Sequence, residues 1–293
     1  MGIKQRKILK FKNFKPIINF LKRFNLKSFN DKQKVKDYLS FFELSYLVRK
    51  ISEDNQPIKN PKFLRDIKED EKRPAPYDFN DLCRLHWIVL SRKVFTTLEY
   101  SSGFSTTFIA DACFILSHYF NNIINDIRVE KKFHIFSLEQ SSKFLKITKK
   151  RIPRFISNHA TLIKSKINVV KYQNKFATTY SVIPDISPDF IYLDGPSTFI
   201  KKRYKGFSFN NISRFPMSSD LLHFEYFLEP GTFLLVDGRT ANARFLKDHF
   251  KRKWKYYHDR KGDCHYFELI ESSLGPYNKN KLDFCLKDKI KFF

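Results

Sequence analysis

From residue 76 onward, short apolar runs alternate with stretches of helical periodicity. The runs fall at residues 94–98, 133–138, 167–172, 190–193 and 232–236. Residues 79–92 carry Leu82, Leu85, His86, Val89 and Leu90 on one helical face. Further helical stretches occupy about 106–127, 140–152, 220–228 and 241–251. Strands that alternate with helices predict a parallel sheet covered on both faces. The end of the pattern differs: two strand-like runs, 255–258 and 265–270, flank the turn residues 259–263. The expectation is an α/β fold: a doubly wound, mostly parallel Rossmann-like sheet that ends in an antiparallel hairpin.

The first 75 residues read differently. Ile17, Phe20, Leu21 and Phe24 lie at helical spacing among nine basic residues and no acid in residues 1–30. Such a helix either packs its apolar stripe on a core and solvates its lysines, or binds an anionic surface. The packed arrangement is the favoured one. Residues 37–52 predict a second helix with Leu39, Phe42, Leu47 and Val48 on its apolar side. Residues 53–76, with Pro57, Pro61, Pro74 and Pro76, read as a linker. Two regions follow: a basic helical extension with its linker over 1–75, and a Rossmann-like domain over 76–293.

Composition changes this picture little. Hydrophobic residues make up 42% and aromatic residues 17%, enough for a buried core and far from a disordered chain. The net charge of +25 fits a phosphate-bearing or lipid partner, but a Lys-, Asn- and Phe-rich coding bias produces it equally. Cys83, Cys113, Cys264 and Cys285 form no C-x-x-C pair, so reduced thiols and a cytoplasmic location are expected. No secretory segment and no transmembrane run is visible. Met1-Gly2 opens like a myristoylation signal, but Arg6 stands where Ser or Thr is required.

The chemistry gathers at the expected strand ends. In residues 94–112 a strand ends near Glu99, the turn Ser101-Ser102-Gly103 follows, and Ser105 opens a helix. Small residues there let a ligand approach the backbone, and the helix start offers free N–H groups. Glu139 ends the second strand, Asp194 the fourth and Asp237 the fifth. Lone acids at strand ends are usually turn or cap residues. Four in succession at one sheet edge point to a shared ligand cleft.

These motifs, in this order, resemble the class I S-adenosylmethionine-dependent methyltransferases over residues 76 to about 271. LEYSSGFST resembles the family's acid-x-Gly-x-Gly motif, with Ser101 in place of a glycine; SLEQ, IYLDG and the PGT-to-VDG stretch resemble later motifs. The resemblance implies S-adenosylmethionine as cofactor. Glu99, Ser101, Gly103 and Ser105 would line it, Glu139 would hold its ribose hydroxyls, and Asp194 would sit near the sulfonium. A serine at position 101 is strained if that position needs positive φ. A nicotinamide dinucleotide fits poorly, because only Gly103 of the G-x-G-x-x-G pattern is present. Asp194, Asp237 and Arg239 are the catalytic candidates; His223 reads as a helix-surface histidine. Asp194 and Asp237 also resemble two magnesium ligands of catechol-type O-methyltransferases, but Gly238 replaces the expected Asn, with Asn242 the nearest amide. A divalent metal is therefore the less favoured addition.

An N-P-P-[YF] tetrapeptide is absent after the fourth run, which favours an oxygen acceptor on a small molecule or glycan. Two alternatives stand beside it. One is an RNA methyltransferase steered by the basic residues 4–27. The other is a non-catalytic Rossmann-like module tethered to an anionic membrane or a larger assembly.

Overall fold

A computed structural model of the chain describes residues 6–48, 77–122, 124, 126–197, 200, 202–210 and 214–292. The expected linker at 53–76 and the boundary at Pro76 lie outside these residues, as does Lys4.

The first segment is helical. α1 (Lys15–Leu21) carries Pro16 in its first turn, where a missing N–H breaks no helical bond. α2 (Lys32–Phe42) starts five residues earlier than its apolar pattern suggests. The cause is Asp31, whose carboxylate accepts from the N–H groups of Gln33 at 2.8 Å and Lys34 at 3.3 Å. It stops at Glu43, which is left-handed at φ 54, and a short 3-10 turn covers Leu44–Val48. α3 (Phe79–Ser91) is capped in the same way by Asp78.

The alternating region follows with β1 (Thr96–Tyr100), α4 (Phe104–Phe120), β2 (His134–Glu139), α5 (Ser142–Arg151) and β3 (Ala160–Lys164). Two hairpins, β4 (Ile167–Tyr172) with β5 (Lys175–Tyr180) and β7 (Arg203–Tyr204) with β8 (Phe207–Ser208), flank β6 (Phe190–Leu193). The chain continues through α6 (Asp220–Phe224), β9 (Phe233–Asp237), α7 (Thr240–His249), β10 (Trp254–Asp259), β11 (Cys264–Leu269) and α8 (Pro276–Leu286).

Seven strands form one sheet in the order β10-β11-β9-β6-β1-β2-β3. Pairing is parallel from β3 to β9, and β11 runs antiparallel to both of its neighbours. The expected sheet and its terminal hairpin are both present. The chain winds outward from β1 to β3, then returns to place β6 on the other side of β1. That reversal leaves a crevice at the carboxyl ends of β1 and β6.

One strand of the sequence reading is corrected. Residues 167–172 were expected as the third sheet strand, yet they form β4, which pairs only with β5. Gln173 and Asn174 both take positive φ (44 and 64) and close a tight hairpin. The third sheet strand is instead β3, in register with β2 from Ile135↔Ala160 to Glu139↔Lys164. α8 was not expected at all.

Each sheet face buries its own core. One holds Leu98, Leu138, Leu221 and Leu246. The other runs from Ile8, Phe20 and Phe42 through Trp87 and Phe108 to Cys285. Ile17, Phe20, Leu21 and Phe24 are buried in it, as the packed reading required. Phe20 stacks on Phe41 at 3.7 Å between ring centroids, and Phe29 meets Trp87 at 5.8 Å. Each such ring contributes roughly 1.5–3 kcal/mol when fully buried, so this face of the sheet is covered by the N-terminal helices. Lys7, Lys10, Lys12, Lys15, Lys22 and Lys27 remain exposed.

Arg6 departs from that pattern and is buried. Its Nη1 and Nη2 reach the two Asp111 carboxylate oxygens of α4 at 2.6 and 3.0 Å, and Nη2 also donates to the Phe42 carbonyl at 2.8 Å. Tyr46 Oη donates to Asp111 at 2.6 Å, and His86 Nε2 lies 3.2 Å from it. Burial alone would raise the Asp111 carboxyl, but Arg6 and His86 hold it well below the usual carboxylate range.

Candidate functional site

A cavity of about 660 Å³ opens where β1, β2, β6 and β9 end. Ser101, Gly103, Ser105, Glu139, Asp194, Asp237 and Arg239 all line it. The sequence reading had selected each of them.

Its floor is the turn after β1. Ser101 has φ 107, a region that L residues rarely adopt, so the strain anticipated for a serine there is present. Two bonds hold the turn: Ser101 N–H donates to the Leu138 carbonyl at 2.9 Å, and Ser137 Oγ donates to the Ser101 carbonyl at 2.9 Å. Gly103 is extended (φ 179), and its N–H donates to Thr106 Oγ1 at 3.1 Å.

Glu99 does not reach the cavity, contrary to the role implied for it. It is fully buried behind the turn, where Thr106 Oγ1 donates to it at 2.6 Å alongside the hydroxyls of Ser105 and Ser137. Burial pushes its carboxyl up to about 7, against the pull of those hydroxyls.

Glu139, the last residue of β2, does face the cavity. Ser141 N–H donates to one of its oxygens at 2.7 Å, and Ser102 Oγ donates to the other at 3.0 Å. Each carboxylate oxygen keeps a second lone-pair site. The side chain is thus fixed in place and still able to accept from a pair of hydroxyls. Burial raises its carboxyl, and hydrogen bonds from the Ser141 backbone and from the side chain and backbone of Ser102, with the charge of Lys164, oppose that rise.

A second group of acids stands opposite. Asp194 is half exposed; Arg239 lies 3.6 Å from its carboxylate and donates to its backbone carbonyl at 2.7 Å. Asp237 accepts from Tyr192 Oη at 2.7 Å, and its carboxyl is pushed up to about 6 by burial and by Asp194. Asp81, on the first turn of α3, joins them. Its carboxyl also rises to about 6, through burial and the nearby Asp237.

Asp81, Asp237 and Cys264 each place one ligand atom within 4.8 Å of the others. This set does not fit a hard divalent cation. Arg84 Nη1 already lies 2.5 Å from Asp81 and 3.0 Å from Cys264 Sγ, so a guanidinium holds the positive charge there. Burial pushes the Cys264 thiol up, which keeps it protonated. Asn242 is buried and spends both ends of its amide on the Ser218 backbone, at 2.9 and 3.2 Å. Hard cations need several oxygen ligands, and these residues leave too few.

The winding of five parallel strands reverses at β1, an antiparallel pair closes the sheet, and an acid that ends β2 lines the crevice at the reversal. The fold is the doubly wound, mostly parallel Rossmann-like sheet with a terminal hairpin. No family model matches the sequence, and no curated protein is similar to it by sequence. Solved structures overlap the chain in part. An O-methyltransferase from Bacillus cereus in complex with SAH is 12% identical, with a TM-score of 0.39 over 81% of this chain and 100% of that one. The O-methyltransferase TomG from Streptomyces achromogenes, in complex with SAM, is 11% identical, with a TM-score of 0.39 over 75% and 94%. The tRNA (m1A58) methyltransferase TrmI from Aquifex aeolicus is 10% identical, with a TM-score of 0.31 over 66% and 69%.

Several cavity residues escaped the sequence reading. Asp81 was passed over because α3 was read for its apolar face alone. Tyr180 belongs to the hairpin that had been read as a sheet strand, and it closes over Gly195, where a Cβ would lie 2.3 Å from its Oη. Arg151 ends α5 with no motif around it. His223 is exposed, with Ser219 Oγ at 3.4 Å from its Nε2, and it does not line the cavity. Among the described residues, no helix is long and apolar enough to cross a membrane.

Proposed function

We propose that the chain is a methyltransferase that uses S-adenosylmethionine to methylate a hydroxyl oxygen of a small molecule or sugar. The observation that carries this reading is Glu139, anchored by Ser102 and Ser141 at the end of β2 with acceptor capacity turned to the cavity. A carboxylate so fixed is suited to the two hydroxyls of a ribose. Ser101, Gly103 and Ser105 supply the small-residue floor beneath the rest of the cofactor.

When bound, the cofactor supplies a methyl carbon activated by positive sulfur. The protein's own task is to align the acceptor oxygen, which is worth on the order of 7–11 kcal/mol, and to take its proton. Asp237 suits the proton: a carboxyl that titrates at about 6 is mostly ionised at neutral pH, yet basic enough to serve. Asp237 would take the proton of the acceptor O–H as that oxygen is methylated, and the cofactor, when bound, would supply the methyl group and leave as a neutral thioether. Arg239 holds Asp194 beside this path.

The exposed lysines of the N-terminal helices leave an RNA acceptor as the second reading, but their apolar partners are consumed in the core. Four free, buried thiols suit a reducing cytoplasm.

Calorimetric titration with S-adenosylhomocysteine tests the cofactor. Binding should weaken in Glu139→Ala by at least tenfold, about 1.4 kcal/mol, as expected for lost bonds to a charged group. NAD should not bind. Equal affinity in the wild type and the variant would overturn the assignment.

A further inference from the structure

We propose that Arg151 forms an oxyanion subsite of this cavity, which takes a carboxylate or phosphate carried by the methyl acceptor. The inference rests on the reading of the cavity as a cofactor and acceptor site.

Arg151 is the last residue of α5, and its Cζ lies 4.0 Å from the centre of the Phe104 ring. The guanidinium is thereby held flat on the first residue of α4, at the cavity lining. Its Nε and Nη2 are buried and have no hydrogen-bond partner. Four other arginines with largely buried side chains each have an acid partner, although Nε of Arg6 and of Arg84 is likewise without a hydrogen bond. Arg6 bonds Asp111, Arg84 bonds Asp81, Arg92 bonds Glu268 and Arg252 bonds Glu271. Among the described residues, Arg151 has no such acid. A buried guanidinium donor left unmatched costs more than a neutral one. Burial accordingly pulls its pKa down to about 10, still far above neutrality, so the group stays charged. The fold bears that cost at the cavity lining, in a residue that is itself only partly buried, so a small shift of the side chain presents a planar fork of two N–H groups that matches the two oxygens of a carboxylate or phosphate.

The charge balance assigns the anion to the acceptor. The cofactor is cationic at sulfur and carries a carboxylate beside an ammonium at its methionine end. Lys166 lines the same cavity, and it too has no acid partner among the described residues. The cofactor's single carboxylate occupies one of these two cations at most, which leaves the other for a carboxylate or phosphate on the acceptor. A neutral sugar or phenol would leave the Arg151 nitrogens unsatisfied and be selected against.

The full-length protein, saturated with S-adenosylhomocysteine, is titrated with inorganic phosphate and separately with acetate, at ionic strength held constant with chloride. Wild type, Arg151→Gln and Arg151→Lys are compared by calorimetry, and a thermal melt confirms that each variant is folded. At least one oxyanion should bind the wild type, and the arm that binds identifies phosphate or carboxylate. Arg151→Gln should weaken it at least about tenfold, Arg151→Lys less, with S-adenosylhomocysteine affinity within about twofold throughout. Undiminished oxyanion binding in Arg151→Gln, or none in the wild type, overturns the subsite. Loss of S-adenosylhomocysteine in Arg151→Gln assigns the arginine to the cofactor and also overturns it. If the wild type binds an Arg151-dependent oxyanion but no S-adenosylhomocysteine, the subsite stands and the methyl-transfer reading fails.

Discussion

Ser101 and Glu99 are two residues apart and met opposite fates. Ser101 was readable from the sequence as a serine where small-residue turns favour glycine, and its φ of 107 bears that out. Ser101→Gly removes a side chain from a strained conformation, which typically costs on the order of 1–3 kcal/mol, while glycine gives back up to about 1 kcal/mol of chain entropy. The variant should therefore be more stable by about 1 kcal/mol in urea unfolding. A loss of stability would mean that the serine side chain makes up for its backbone. Glu99 was not separable from Glu139 by inspection, since both are acids near a strand end. The difference is geometric. Glu139 ends β2 at the crevice, whereas Glu99 is in register with Ser137, two residues before Glu139, so it leaves the same face of the sheet but deeper along the strands. Its carboxylate turns to the hydroxyls of α4 and the neighbouring strand.

At the scale of elements, four of the five parallel strands were legible because their apolar runs are short and closed by turn residues. The third was not. Residues 167–172 are more apolar than 160–164, so hydrophobic content pointed to the wrong segment. The Gln173-Asn174 turn, with both residues in the left-handed region, was the local signal that could have identified a hairpin. The N-terminal helices carried a clear stripe, but nothing in their spacing revealed that Arg6 spans 105 positions to reach Asp111. That contact fastens the first described segment to α4. Asp111→Ala would leave the Arg6 charge buried and unpaired, at a cost of roughly 3–5 kcal/mol. The variant should melt at lower denaturant with the fold otherwise retained. A change below about 1 kcal/mol would show that Arg6 simply swings into solvent.

For the whole molecule, the buried acids bias stability against high pH. Glu99 titrates at about 7 when folded, against 4.5 ordinarily, so between those values the folded state holds the extra proton. Stability should then be greatest toward pH 5 and fall as pH rises through 7, by on the order of 3 kcal/mol for this one group. Buried histidines such as His134 and His265, lowered to about 4, act in the opposite sense, so the difference between wild type and Glu99→Gln isolates the carboxyl: stability of the wild type relative to the variant should fall across that window. Parallel profiles would overturn the assignment of its charge state.

Trp87 also joins distant parts of the chain: its Nε1 donates to the Leu21 carbonyl, and its ring meets Phe292 at 4.6 Å, beside the bond from Leu26 N–H to the Phe292 carbonyl at 3.1 Å. Leu26 leaves the ribosome long before Phe292, on the order of ten seconds to a minute at ordinary synthesis rates. Through that interval the phenylalanine-rich helices have no completed face to cover them. Their flanking lysines then have a use unrelated to any ligand: like charges on neighbouring nascent chains keep those sticky surfaces apart until the last strand and helix arrive.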